Sequence, residues 1–399
     1  MIPNSEFNFS NIHGKYALKK IVRENDEWIK LDVEKKDYPT TVNDYKYYAI
    51  VQTEELGLIS VYPRSAFDDN SVLMQFAALD VTNIDSLVEF CNKYGLPQNI
   101  KMSATYDTDY IFNHVTRQES YLDTDVDIPF SPHHDPSISL EDITDQIISF
   151  RNILALNVAI ESKNYSEIVD IITYSAVCEY PYSRWPYNSE LTRFNTEFRE
   201  ALSLFPEKQP KTLNKKIERF IDGIKQDTYE TETEPRYDGD YSYPQYKHKM
   251  WQNVVLFLET LIKTYKIKGF TRDGHTIFNT PVDPAKLFSD NYSSDNLIIL
   301  ARAALVDMIN SKLSDIYPEM VFEDGILKPE WHLSSLSSAM ATEMYTMFTP
   351  YARIKKCSNP TCKMYFNTTT ENSRKIYCST SCAQTMAKRM QRAREKGLG

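Results

Sequence analysis

The sequence predicts an α+β chain: a mainly helical body, a small strand-containing region before it and a compact cysteine-rich module behind it. Three observations carry that reading. Two β-rich runs fall between residues 47 and 62, an apolar stripe at helical spacing follows Ser139, and four of six cysteines lie within 26 residues near the C-terminus. With 399 residues, 42% of them hydrophobic, the chain can bury a sizeable core and divide into about two or three domains. The division read from the pattern is an N-terminal α/β region at 1–135, a helical domain at 136–350 and the module at 351–399.

Tyr47–Val51 and Leu58–Tyr62 are rich in β-formers and flank Gly57, which predicts a hairpin turning at that glycine. Ile84, Leu87, Val88 and Cys91 then recur at helical spacing, with Thr82 or Asp85 to cap the start and Gly95 to close the end. Residues 101–137 are polar, aromatic and punctuated by proline, as in a long excursion between domains. Ser139-Leu140-Glu141-Asp142 resembles a capping box with Asp in the place of Glu. Ile143, Ile147, Phe150, Ile153, Leu154 and Val158 continue it as one helical stripe.

Further helices are expected near 166–178, 188–204, 211–225, 249–266, 294–316 and 333–349, with a hairpin turning at Asp273-Gly274. Between them, residues 226–247 hold five tyrosines, six acids and no aliphatic residue, the composition of a solvated insertion.

Composition removes several chemistries. Only 10 glycines occur, about 2.5% where roughly 7% is usual, and neither phosphate-cradling glycine motif is present. No nucleophile elbow and no HExxH helix can be read. Asp123, Asp125 and Asp127 copy the start of a calcium loop, but Ile128 replaces the glycine and His134 the closing acid. His133 and His134 are adjacent and diverge on an extended chain. The expectation is therefore a non-enzyme. Met1–Glu6 lacks the basic and apolar regions of a signal peptide, and Val254–Ile262 and Leu297–Val306 fall short of the roughly 20 apolar residues a spanning helix needs. A soluble, cytoplasmic protein without membrane contact is expected.

The C-terminal cysteines are spaced C-x4-C, 15 residues, C-x3-C, at Cys357, Cys362, Cys378 and Cys382. Two close pairs with a hairpin-sized gap are the footprint of a structural zinc site, with disulfides or another metal as the alternatives. Pro360 can turn a knuckle. Met364–Phe366 and Arg374–Tyr377 suit two hairpin strands with a tip at Thr368–Asn372, and the second pair opens a helix. Knuckle, hairpin and helix N-terminus around one Zn2+ make a treble-clef-like finger. Four sulfurs close the site, so a catalytic metal is disfavoured. Cys91 and Cys178 sit among apolar residues as small core filler.

The helix expected at Ala383–Lys396 carries Ala383, Met386, Ala387, Met390 and Ala393 on one stripe, and Lys388, Arg389, Arg392 and Lys396 opposite. Residues 351–399 contain 11 basic and 2 acidic side chains, a charge of +9, whereas residues 1–350 contain 34 against 53, a charge of −19. The overall −10 conceals these two opposed parts. A compact +9 module is the electrostatic footprint of a phosphate binder; the alternative is a basic end that docks on its own acidic body.

Arg353, Cys357, Pro360, Cys362, Phe366, Arg374, Tyr377, Cys378, Ser379 and Cys382, with the trailing Lys and Arg, resemble the CGNR zinc-finger family of bacterial proteins. Its namesake Cys-Gly-Asn-Arg is here Cys382-Ala383-Gln384-Thr385. The resemblance implies zinc on the four cysteines and a DNA-binding transcription regulator. The leading expectation is thus a regulator whose acidic body senses a ligand or partner and whose finger meets double-stranded DNA through Arg374, Lys375, Lys388, Arg389 and Arg392. The alternative is an interaction protein, with a protein partner or a second copy, in which the finger is a stability clip docking an acidic partner.

Overall fold

The structure is a computed structural model. It describes residues 9–24, 27–40, 42–62, 71–97, 137–178, 264–271, 273–283, 286–288, 292–313, 316–323, 326–333, 335–348, 352–369 and 374–395, with isolated helical positions between 215 and 261. The expected excursion at 101–137 (save Ser137), the calcium-like loop, the helices near 188–204 and 211–225 and the insertion at 226–247 fall outside these residues or are touched at single positions only.

The N-terminal region is a four-stranded antiparallel sheet in the order β2-β1-β3-β4, from β1 (Phe9–Glu24), β2 (Glu27–Asp32), β3 (Tyr48–Tyr62) and β4 (Ser137–Ser139). The hairpin expected at Gly57 does not form. Residues 48–62 are one continuous strand, and Gly57 pairs with His13 of β1. Strand β1 also pairs with β2, antiparallel, out to Glu24 facing Glu27. The long β1–β3 ladder accommodates its twist through register shifts, one of them between His13 and Gly14. A Cβ on Gly14 would stand 2.5 Å from the Glu54 carbonyl oxygen, so the strands approach here only because that residue has no side chain.

Helix α1 (Val72–Ala77) starts at Ser71, and α2 (Ile84–Tyr94) at Asn83, whose side chain accepts from the Ser86 N–H. The cap is Asn83, not Thr82 or Asp85. Gly95 closes α2 at φ 81°, as its position predicts. Helix α3 (Leu140–Ser162) is the centre of the body. Ser139 Oγ accepts from the Asp142 N–H at 2.9 Å, which is the N-terminal half of the expected box. Every predicted stripe residue of α3 is buried except Val158, which is half-buried, and burial extends round to Thr144, Ile148 and Asn152. The helix is therefore enclosed on more than one side.

Helix α4 (Tyr165–Cys178) follows, then β5 (Ile267–Phe270) and β6 (Thr276–Phe278), joined at Gly274 with φ +82°. Phe257, Leu261, Thr264 and Tyr265 are helical, in step with the expected helix at 249–266. The two last predicted helices are shorter than read: α5 is Ser294–Lys312 and α6 is Leu336–Met347. Between them lies an unanticipated hairpin, β7 (Ile316–Glu323) with β8 (Ile326–Leu333). Its strands carry Pro318 and Pro329, residues that disfavour a strand, and show no clean alternation of apolar and polar positions.

One buried cluster runs from Tyr16 through Phe76, Phe150 and Met344 to Ile354 and Tyr365, continuous across positions 135/136 and 350/351. Each large side chain in it contributes about 1.5–3 kcal/mol by burial. Polar contacts tie distant parts together. Arg151 Nε donates to the Ala77 carbonyl at 2.8 Å, and buried Glu343 of α6 accepts from the Leu73 N–H at 3.2 Å. Cys91 is fully buried, as read; burial pushes its thiol pKa up.

Candidate metal centre and basic helix

Strand β9 (Ala352–Lys356) leads into the first cysteine pair and β10 (Tyr365–Thr369) leads out of it. The knuckle between them reverses the chain, with Cys357 N–H on the Met364 carbonyl (3.0 Å) and Cys362 N–H on the Asn359 carbonyl (2.8 Å). Because the knuckle turns the chain back on itself, β10 pairs with β9, Tyr365 opposite Lys356. The predicted partner strand Arg374–Tyr377 is not a strand. It touches the knuckle through the Ser358 N–H on the Ile376 carbonyl at 2.9 Å.

Cys378 then precedes helix α7 (Thr380–Glu395), and Cys382 sits in its first turn, as predicted. Ser379 starts the helix: its Oγ accepts from the Cys382 N–H at 3.2 Å and its carbonyl from the Ala383 N–H at 3.1 Å.

All four sulfurs lie within 4.8 Å of one another, and among the described residues no other group of this kind occurs. Cys378 Sγ is 3.6 Å from both Cys362 Sγ and Cys382 Sγ. A tetrahedral zinc–sulfur distance of about 2.3 Å requires sulfur–sulfur edges of about 3.8 Å, so the set fits one zinc ion and is far too open for a disulfide, whose S–S bond is about 2.05 Å. Outer contacts orient the ligands. The Cys378 N–H points at Cys357 Sγ at 3.5 Å, and Asn359 Nδ2 donates to Cys382 Sγ at 3.6 Å. Burial raises the Cys362 and Cys378 thiols, whereas the Asn359 amide, helped by Ser379, lowers Cys382 to about 7. A zinc ion held by these four sulfurs would have every position filled by protein, and so would organise the fold and offer no vacant site to a substrate.

The hairpin is docked and the helix stands clear. Ile354 and Tyr365 are buried in the main cluster, Lys356 Nζ lies 3.7 Å from Glu167 of α4, and Lys363 Nζ lies 3.4 Å from Asp80. No residue of α7 is buried; Met390 of the predicted apolar stripe is 52% exposed and Ala387 is exposed as well.

The five predicted phosphate-binding side chains divide. Arg374, Lys388, Arg389 and Arg392 are exposed. Lys375 is half-buried with its ammonium 5.4 Å from the Phe366 ring centre. Arg389 leans back on the knuckle, donating to Asn359 Oδ1 at 3.1 Å and Thr361 Oγ1 at 3.3 Å. The sequence reading missed Asn359 altogether, although an Asn-Pro step inside a cysteine knuckle is a turn signal that marks a side chain turned toward local backbone.

A polar cluster also lies where α4 meets the β5–β6 hairpin. Asp170 accepts from the Thr276 N–H at 2.5 Å and stands 2.7 Å from His275 Nδ1. That hydrogen bond raises the His275 pKa, with partial burial opposing it.

The four-sulfur centre, with its hairpin, knuckle and helix, defines a zinc-finger module on the α+β body. Residues 353–395 match the CGNR zinc finger family, over the hairpin, knuckle and α7 just described. No curated protein matches the chain, and no solved structure does. No helix among the described residues is long and apolar enough to cross a membrane.

Proposed function

We propose that this chain is a DNA-binding protein, a transcription regulator whose finger presents α7 to the phosphates of duplex DNA while the acidic body senses a ligand or partner. The observation that carries the reading is the division of the finger: its hairpin is held by the body, and its basic helix projects with no buried residue. Lys388 and Arg392, four residues apart, share a helix face, and Arg374 adds a third exposed cation. The proposal includes no catalytic step.

Each neutralised phosphate steepens the dependence of log affinity on log salt by about 0.9. Three contacts therefore lower affinity about 40-fold between 50 and 200 mM salt. Gel shifts of random duplexes across this range test the reading. Charge reversal in K388E/R392E is expected to abolish retention at physiological salt and to leave at most one contact's slope, about 3.5-fold over the same range. Unchanged retention and slope would overturn it.

A second reading draws support from the docked hairpin: the finger as a stability clip whose free helix binds an acidic protein or a second copy. In the same assay, DNA retention that a polyanion removes completely, alongside stable capture of an acidic partner, favours that reading instead.

A further inference from the structure

Helix α7 has no fully buried side chain, and its apolar stripe is at most half-buried, so apolar packing alone fixes its direction weakly. Polar contacts at its base add to it. Cys382 and Arg389 are seven residues apart, two turns of helix, and so lie on one face with Met386 between them. Long side chains on a helix lean toward its N-terminus. Arg389 accordingly reaches back along this face, passing Met386 Sδ at 3.9 Å, and ends on the knuckle.

Its receiver is Asn359, only 5% exposed. The Asn359 Oδ1 accepts from Arg389 Nη1 at 3.1 Å and from Thr361 (N–H 3.3 Å, Oγ1 3.1 Å), while its Nδ2 donates to Cys382 Sγ at 3.6 Å. Arg389 Nη2 adds a contact to Thr361 Oγ1 at 3.3 Å. One amide thus bridges a metal-ligating sulfur to a guanidinium two turns up the helix. Cys382 is followed here by Ala383-Gln384-Thr385, so an asparagine and an arginine reach the ion's surroundings through space and not through the adjoining sequence.

We propose that Asn359 and Arg389 form a clamp that couples the zinc centre to the direction of α7. Metal loading fixes the Cys382 sulfur, the sulfur fixes the Asn359 amide, and the amide holds Arg389 and the helix that bears it. Arg389 is then a positioning residue, and phosphate contact falls to Lys388, Arg392 and Arg374. The clamp itself stands whether or not α7 meets DNA; the removal of Arg389 from the phosphate contacts rests on the DNA reading.

The test is a double-mutant cycle on zinc release from the zinc-loaded full-length chain into a chromophoric chelator. N359A and R389A are each expected to speed release about 3- to 10-fold, the net worth of about one ordinary hydrogen bond. The double variant should release no faster than the faster single. R389K keeps the charge but lacks the planar fork, and should release zinc as R389A does while retaining DNA at low salt. Independent, multiplicative effects of the two single changes, or release unchanged in either, would overturn the clamp. So would an R389K chain that holds zinc like the wild type. Loss of DNA retention in K388E/R392E tests the DNA reading alone, so the two failures are distinguishable.

Discussion

Replacing Tyr365 with alanine asks what holds the finger against the body. Two attachments are present, and their magnitudes differ. The ion pairs Lys356–Glu167 and Lys363–Asp80 are long, at 3.7 and 3.4 Å, and both lysines are more than half exposed. Exposed pairs of this kind contribute about 0–1 kcal/mol and weaken further with salt. Tyr365, by contrast, is 3% exposed on the inner side of β10 and belongs to the main core cluster with Ile354. Truncating a buried aromatic to alanine costs about 3–5 kcal/mol.

Hydrogen exchange of the β9 and β10 amides reports local opening of the docked hairpin. Y365A should lower their protection by roughly two to three and a half orders of magnitude. K356M/K363M should lower it by less than about fivefold per pair, and the difference should vanish at high salt. The reverse order, a large loss from the lysine changes and little from Y365A, would refute the argument. It would mean that the basic finger is held to the acidic body by charge.

Two further outcomes follow from the metal centre and the histidine pair. The chain should carry one zinc ion, and C357S/C362S should lose it together with the helicity of α7, read by metal analysis and circular dichroism; zinc content unchanged in that variant would contradict the four-sulfur assignment. The Asp170 hydrogen bond raises the pKa of folded His275, so its contribution to stability is fully present below the unfolded value of about 6.5 and is lost as pH rises through the raised folded value. Thermal midpoints of wild type and H275Q should therefore converge above that window and separate below it, with wild type the more stable; parallel profiles would exclude the linkage.

Local rules explain what could be read in advance. Ser139 and Asp142 meet within one helical turn, Gly95 closes α2 because it tolerates a positive φ, and Asp273-Gly274 turns a hairpin for the same reason. The errors share a cause. Gly57 reads as a turn, yet its strand is long and its partner β1 supplies the ladder, so pairing overrides the local preference. The unanticipated β7–β8 hairpin carries Pro318 and Pro329, which disfavour a strand locally, and pairing accommodates them.

At the finger, the spacing of the cysteines already specified the ligands, because two close pairs separated by a short loop bring four thiols to one ion with little help from elsewhere. The opposed charges of tail and body are likewise a property of composition alone. Tertiary structure decided what those charges do. The Lys363–Asp80 contact joins residues 283 apart, and Arg389 meets Asn359 across 30 residues; neither separation leaves a period or a motif in the chain. A local pattern can make a helix basic. Only the packing of the hairpin into the body and the reach of Arg389 onto the knuckle distinguish the cations engaged within the chain, Lys356, Lys363 and Arg389, from Lys388 and Arg392, which stand exposed on α7.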